Sequence, residues 1–316
     1  MFAGAGPVLF AMLTGACAWA VAAGDGGPET QPRVAIAPRR PESASQSALS
    51  NLRLNVRMVL VPVTVTDPLD RPVTTLSRDS FRILEDGVEQ TIASFSQEDA
   101  PVSLGLLFDT SGSMKNRLAA SVEALRLIFQ TTLPGDEFFV VQFSDRARLL
   151  GGFTAQPEEI HYRLGAMEAK GWTALLDAIV LGTHQMRSAR NQRRALLILS
   201  DGNDNNSRFS GSEVRNIVIE GDLRIFGVNL FQRSKLLQQL AEETGGEVLV
   251  AQNLNDLPDL MERLSRNLRT QYLLGYSTHN PHNDGKYRKV KIEVLPPPGF
   301  PRLHASWRRG YYAPIE

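Results

Sequence analysis

Asp109, Ser111 and Ser113 alternate along the stretch FDTSGSMKN, directly after an apolar run from Val102 to Phe108. Thr173 lies further on in GWTALLDAI, and Asp201 in LILSDGNDN. Together they offer two carboxylates and three hydroxyls, with no thiol or imidazole. Taken alone, Asp-x-Ser-x-Ser is a common capping or turn pattern. With Thr173 and Asp201 added, the set is that of a hard cation. All-oxygen ligands suit Mg²⁺, with Mn²⁺ or Ca²⁺ as alternatives, and disfavour zinc and copper. Mg²⁺ takes six oxygens and keeps several waters, so five side chains leave a position for an outside oxygen. A carboxylate from a partner fits that position by charge and by geometry.

The surrounding elements must bring these residues together. From Val102 onward, apolar strands alternate with helical patterns. The strands are expected at 103–108, 137–143, 194–200, 223–229 and 247–251. The helices are expected near 118–130, 157–167, 173–188, 212–220, 234–244 and 257–268. Strands apolar on both faces and separated by helices give a doubly wound α/β sheet. Binding residues in such sheets collect at the carboxyl ends of strands, where strand order reverses. Asp109 and Asp201 each follow a strand, and Thr173 opens a helix. Trp172 and Asn203 stand beside them as candidate rim contacts for a partner, Trp172 packing beneath the loop being the alternative. Asp177, one turn beyond Thr173, either orients ligands or is simply a polar helix position. Asp204, Asn205 and Asn206 offer oxygens for a second cation or are ordinary loop residues.

The flanks read as β-structure. Val59, Val61, Val63 and Val65 alternate with other residues at a period of two, and Pro62 marks an edge or bulged strand. Strands at 81–84 and 90–95 surround Asp86-Gly87, a hairpin signal. After Arg269, strands are expected at 271–276, 287–294 and 302–307, with a second hairpin turn at Asp284-Gly285. Neither flank alone holds enough strands for a stable domain, so both are expected to join in one module into which the α/β domain is inserted. The basic run Lys286, Arg288, Lys289, Lys291 is read as the wet face of a strand.

The beginning of the chain reads as a targeting segment. Val8 to Ala23 is apolar and small-residue rich, Ala20-Val21-Ala22 fits a signal-peptidase site, and no Lys or Arg precedes it. Cys17, the one cysteine of the chain, follows a poor lipobox. The stretch from Asp25 to Asn51 is a Pro-, Gly- and Ser-containing tether. The expected organisation is a signal peptide over 1–22, a linker over 23–52, a β module shared by 53–100 and 269–316, and the α/β domain over 101–268. Export follows, to periplasm, cell surface or medium, with membrane contact only through the first segment if it stays uncleaved.

Among 316 residues, Lys plus Arg and Asp plus Glu both number 34, so the chain has no net charge to attract nucleic acid. There is no Walker or Gly-x-Gly-x-x-Gly loop for a nucleotide, and no nucleophile elbow or His-Glu-x-x-His.

The five residues and their neighbours resemble the metal-ion-dependent adhesion site of von Willebrand factor A domains, over roughly 102–268. The flanking LEDGVEQTIASF and GKYRKVKIEV resemble the related exported proteins of acidobacteria and similar soil bacteria. The resemblance implies a Rossmann-like fold, with Asp109, Ser111, Ser113, Thr173 and Asp201 holding the metal. It also implies non-catalytic binding of a protein ligand, which supplies Asp or Glu. A structural role in a cell-envelope assembly is the alternative, followed by a metal-dependent hydrolase, for which no general base is evident. By analogy, the last helix, 257–268, reports occupancy by shifting against the β module.

Overall fold

A computed structural model describes residues 58–97, 100–300 and 302–315. The targeting segment and the tether, Cys17 included, lie outside the described residues. The chain begins with β1 (Met58–Thr66), β2 (Phe81–Glu85), β3 (Val88–Gln90) and β4 (Ile92–Ser96). The α/β part follows as β5 (Val102–Asp109), α1 (Leu118–Phe129), β6 (Glu137–Phe143), β7 (Ala147–Leu149), α2 (Pro157–Gly165), α3 (Leu175–Gln185) and β8 (Arg193–Ser200). It continues through α4 (Gly211–Glu220), β9 (Arg224–Leu230), α5 (Lys235–Thr244), β10 (Glu247–Ala251) and α6 (Leu257–Arg269). The chain closes with β11 (Tyr272–Ser277), β12 (Tyr287–Val294), β13 (His304–Trp307) and β14 (Gly310–Tyr312).

The central sheet runs β10-β9-β8-β5-β6-β7, parallel except for β7, which pairs antiparallel with β6. Every residue of β5 is buried, as a strand covered on both faces requires. One face packs with α1, α2 and α6 in a core that includes Leu106, Phe108, Leu125, Phe138 and Leu264. The other packs with α3, α4 and α5 around Leu107, Ile179, Ile198, Val214 and Leu240. From β5 the chain moves to β6 on one side and later to β8 on the other, so strand order reverses between β5 and β8.

The flanking strands form two four-stranded sheets, β13-β1-β11-β4 and β14-β12-β2-β3. Each draws strands from both ends of the chain. They share one core of Val61, Val63, Ile83, Tyr272, Leu274 and Ile292, among others. The α/β part leaves after β4 and returns at β11, and these two strands pair with each other. The α/β domain is thus inserted in a small β-sandwich.

Four local expectations are corrected. The strand expected over 90–95 is broken: β3 stays with β2, while β4 crosses to β11 in the other sheet. The Asp86-Gly87 turn between β2 and β3 does form, with φ of 48° and 87°, the left-handed pair of a two-residue hairpin. Pro62 lies in an interior strand. It is tolerated because β13 pairs with β1 only from Val63 onward, leaving Pro62 a free side. Asp284-Gly285 is not a hairpin turn, because β11 and β12 belong to different sheets. In β12 only Lys289 and Lys291 face water. Arg288 turns inward and pairs with Asp284 at 2.8 Å.

Candidate metal centre

Asp109 ends β5 and Asp201 follows β8, so the strand-order reversal places them on either side of one crevice. Asp109 is fully buried. Its Oδ2 accepts from Ser200 Oγ at 2.5 Å and its Oδ1 from the Ser111 amide at 2.8 Å. Among the described residues no cationic side chain contacts it. Burial raises its carboxyl above the ordinary value, against the opposing hydrogen bonds from Ser200 and Ser111, and the Asp201 charge adds to the rise.

Ser111 and Ser113 project from the turn that precedes α1. Their hydroxyls lie 3.1 Å apart, and Ser113 Oγ donates to Asp201 Oδ1 at 2.7 Å. Four of the five expected ligands are therefore linked in a row, Asp109 to Ser111 through the Ser111 amide, and Ser111, Ser113 and Asp201 through their side-chain oxygens. Ser111 is buried and Ser113 exposed, so the cluster opens outward at Ser113.

Thr173 joins from the loop before α3. It is buried, and its Oγ1 lies beside Gly202, where a Cβ would stand 3.8 Å away. Its amide donates to Asn205 Oδ1 at 2.8 Å, and its carbonyl accepts from the amides of Asn205 and Asn206. The first loop meets the second through Gly112 N donating to Gly171 O at 3.0 Å. Gly171 sits at φ 85°, and a Cβ there would stand 2.6 Å from the Asp145 carboxylate. That carboxylate accepts the Trp172 amide at 2.8 Å. The Trp172 side chain is 65 % exposed, and Asn203 is exposed too.

The acidic loop residues serve the scaffold. Asp204 Oδ1 accepts the Leu176 amide at 3.2 Å, at the start of α3, and Asn205 holds Thr173, so these oxygens are engaged by backbone amides rather than grouped for a second cation. Asp177 accepts the Arg208 amide at 2.9 Å and Arg208 Nε at 3.0 Å. It braces the loop after β8 and does not touch the five-residue cluster.

Arg117, Ser200 and Gln232 were not marked by sequence. Arg117, just before α1, makes an ion pair with Asp201 Oδ2, and its guanidinium stacks 4.4 Å from the centre of the Phe231 ring. Gln232 Nε2 donates to the Asp201 carbonyl at 2.6 Å. Asn229, in register with Ser200 and 3 % exposed, finds no partner for either side-chain polar atom. Only Ser200, adjacent to Asp201, carried a sequence signal, as a polar residue closing an apolar strand.

The cluster fits a hard dication. A buried carboxylate lacks a counter-cation, hydroxyl oxygens are gathered beside it, and a buried amide next in line is unsatisfied. Among the described residues no three His, Cys, Asp or Glu side chains gather as a metal group, so this site depends on its hydroxyls beside two carboxylates.

Residues 104–203 match the family model for the von Willebrand factor type A domain. No curated protein matches the chain. Among solved structures, one similar fold is a von Willebrand factor type A protein from Catenulispora acidiphila, at 13 % identity and TM-score 0.50, covering 83 % of this chain and 75 % of that one. The proximal thread matrix protein 1 of the mussel byssus, in a form with a zinc-occupied metal-site motif, aligns at 16 % identity and TM-score 0.49, covering 59 % of this chain and 50 % of that one. BatB of Bacteroides thetaiotaomicron aligns at 17 % identity and TM-score 0.44, covering 54 % of this chain and all of that one.

Proposed function

The chain carries a von Willebrand factor type A domain, and from that premise we propose that it is an exported, non-catalytic binding module that engages a protein partner's Asp or Glu through a divalent cation. Asp109, Ser111, Ser113, Thr173 and Asp201 are the residues that would hold the cation, with Mg²⁺ the first choice and Mn²⁺ or Ca²⁺ alternatives. The observation that carries this reading is the buried Asp109 carboxylate, without a cationic neighbour among the described residues, at the closed end of an oxygen cluster that opens to solvent at Ser113. When bound, the cation supplies positive charge at the mouth of the crevice. The chain's own residues do the rest. Ser200 and the Ser111 amide orient Asp109, Asn205 fixes Thr173, and exposed Trp172 and Asn203 form the rim a partner would meet.

Export rests on the targeting pattern of residues 1–22; among the described residues, no helix is long and apolar enough to cross a membrane. The test is calorimetry of the full chain with Mg²⁺ and Mn²⁺, followed by partner capture with and without chelator. We expect one weak metal site, lost in Asp109→Ala, and capture that chelator abolishes. Undiminished metal binding in Asp109→Ala overturns the site. Capture indifferent to chelator favours a structural envelope role instead.

A further inference from the structure

At the opposite pole of the central sheet, β8 and β9 begin with arginines, and a cavity of about 500 Å³ lies between the sheet and the β-sandwich. Small-ligand sites fall in the range of about 300–1,000 Å³. Arg190, Arg193, Arg194, Arg224 and Arg308 line it, against Asp222 as the one carboxylate among the described lining residues. Leu60, Pro62, Leu223, Phe226 and Leu273 supply apolar wall. The pole is separated from the metal centre by the length of β8, about 25 Å for its eight residues at a strand's rise.

Arg224 is the decisive residue. It is 7 % exposed. Its Nε and Nη2 donate to the Gly245 carbonyl, and Nη2 also to Thr64 Oγ1 at 3.0 Å. Its Nη1 is buried and has no partner. Among the described residues no carboxylate pairs with Arg224 or with Arg194. Burial, then the neighbouring Arg193 charge, brings the Arg224 guanidinium down to about 9, against the opposing charge of Glu247, which is itself paired with Arg263. A buried donor left unmade costs free energy, and more when it is charged. Arg308 adds a second buried, unpartnered nitrogen, Nε, while its Nη1 pairs with Asp222.

We propose that this cavity binds a compact organic anion, its carboxylate or phosphate head taken by Arg224 and Arg194 and its apolar body by Leu223, Phe226 and Leu273. A bare inorganic anion would satisfy the guanidinium but leave the apolar wall uncovered. The site owes nothing to the metal centre and stands or falls separately from it.

Titration calorimetry of the full chain with benzoate, phenyl phosphate and inorganic phosphate, at fixed ionic strength, tests this. Saturable binding of benzoate or phenyl phosphate is expected, about tenfold tighter than inorganic phosphate from burial of the ring. Whichever organic probe binds tighter identifies the head group. Arg224→Met should weaken binding by more than about tenfold, and Arg194→Gln by about fivefold, since Arg194 stands at the partly exposed rim. Arg194→Gln keeps the test alive if Arg224→Met does not fold. Asp109→Ala should leave the binding unchanged. The proposal is overturned if neither organic probe saturates, if inorganic phosphate binds as tightly as both, or if both folded arginine variants bind like the wild type. It is equally overturned if binding appears only after Glu98→Gln with Asp99→Asn. That outcome would mean that the chain's own acids, which lie between Ser96 and Ala100 in the sequence, already serve the arginines.

Discussion

Asp109 and Arg117 carry opposite problems of charge. Asp109 is a buried carboxylate without a cation, and its ionised form costs free energy until one arrives. Asn preserves its shape, and Ser200 can turn its hydroxyl to accept. Asp109→Asn should therefore stabilise the metal-free protein by about 1 kcal/mol while abolishing the gain in melting temperature on adding Mg²⁺. Thermal melts in chelator and in Mg²⁺ read both, and a variant melting below wild type in chelator refutes the argument. Arg117 meets Asp201 with a monovalent cation of the chain's own, steadied by Phe231, whose φ of 69° is unusual for a bulky residue. A divalent ion must share Asp201 with that guanidinium or displace it. Arg117→Ala should therefore tighten Mg²⁺ binding by about three- to tenfold, the effect of removing a partly exposed ion pair. Calorimetry showing weaker binding would mean that Arg117 supports the site. Ser113→Asp adds a charge at the exposed end of the cluster. It should hold metal more tightly and bind the partner more weakly, and equal partner binding would rule out a carboxylate donor.

At the scale of elements, the metal loops are anchored by buried Met114 and Ala174 and held further by side chains that accept backbone amides. Asp177, on the first turn of α3, takes two amide donors and an arginine from the loop after β8. Asp177→Ala leaves those amides unmade, at a cost of about 2 kcal/mol. Hydrogen exchange should quicken over 201–209 while α1 and β5 stay protected. Unchanged exchange there would mean that the loop is held by Asp204 and Asn205 alone. Gly171 shows the same dependence on backbone. Its positive φ and the adjacent Asp145 carboxylate leave no room for a Cβ, so Gly171→Ala should displace Trp172 and Thr173 and weaken Mg²⁺ binding without unfolding the sheet.

At the scale of the whole molecule, the inserted domain and the sandwich are joined by specific charges. Arg263 of α6, itself paired with Glu247, reaches Asp70 of the sandwich, and Arg308 of the sandwich reaches Asp222; within the α/β part, Arg269 pairs with buried Asp136, which also accepts the Val102 amide at 2.8 Å. We propose that the α/β part folds alone, given its complete two-sided core. A chain cut to 101–270 should melt cooperatively. One cut to 101–268 loses Arg269 and leaves Asp136 buried without its cation, so it should be less stable by about 3 kcal/mol. Equal melting of the two by circular dichroism would show that the pair contributes nothing. Residues 53–100 alone should stay unfolded, because β1, β2 and β4 each find a pairing partner in the chain beyond 269.

The doubly wound sheet was legible in the sequence because strands buried on both faces must be apolar throughout, and helices between them must carry one apolar stripe. The oxygen cluster was legible for a related reason: polar residues that end such strands can lie only at the sheet's carboxyl edge. Tertiary structure alone decided how far those oxygens close on one another, that Arg117 reaches Asp201, and that Asp204 and Asn205 are consumed by α3 and Thr173. It also decided that the strand expected over 90–95 breaks between two sheets, and that Arg224 lines a cavity with one buried guanidinium nitrogen left without a partner. Each of these depends on which long side chain or distant strand arrives at a given point. Local pattern carries no record of that, because a strand's alternation and an arginine's identity are the same whatever stands opposite them.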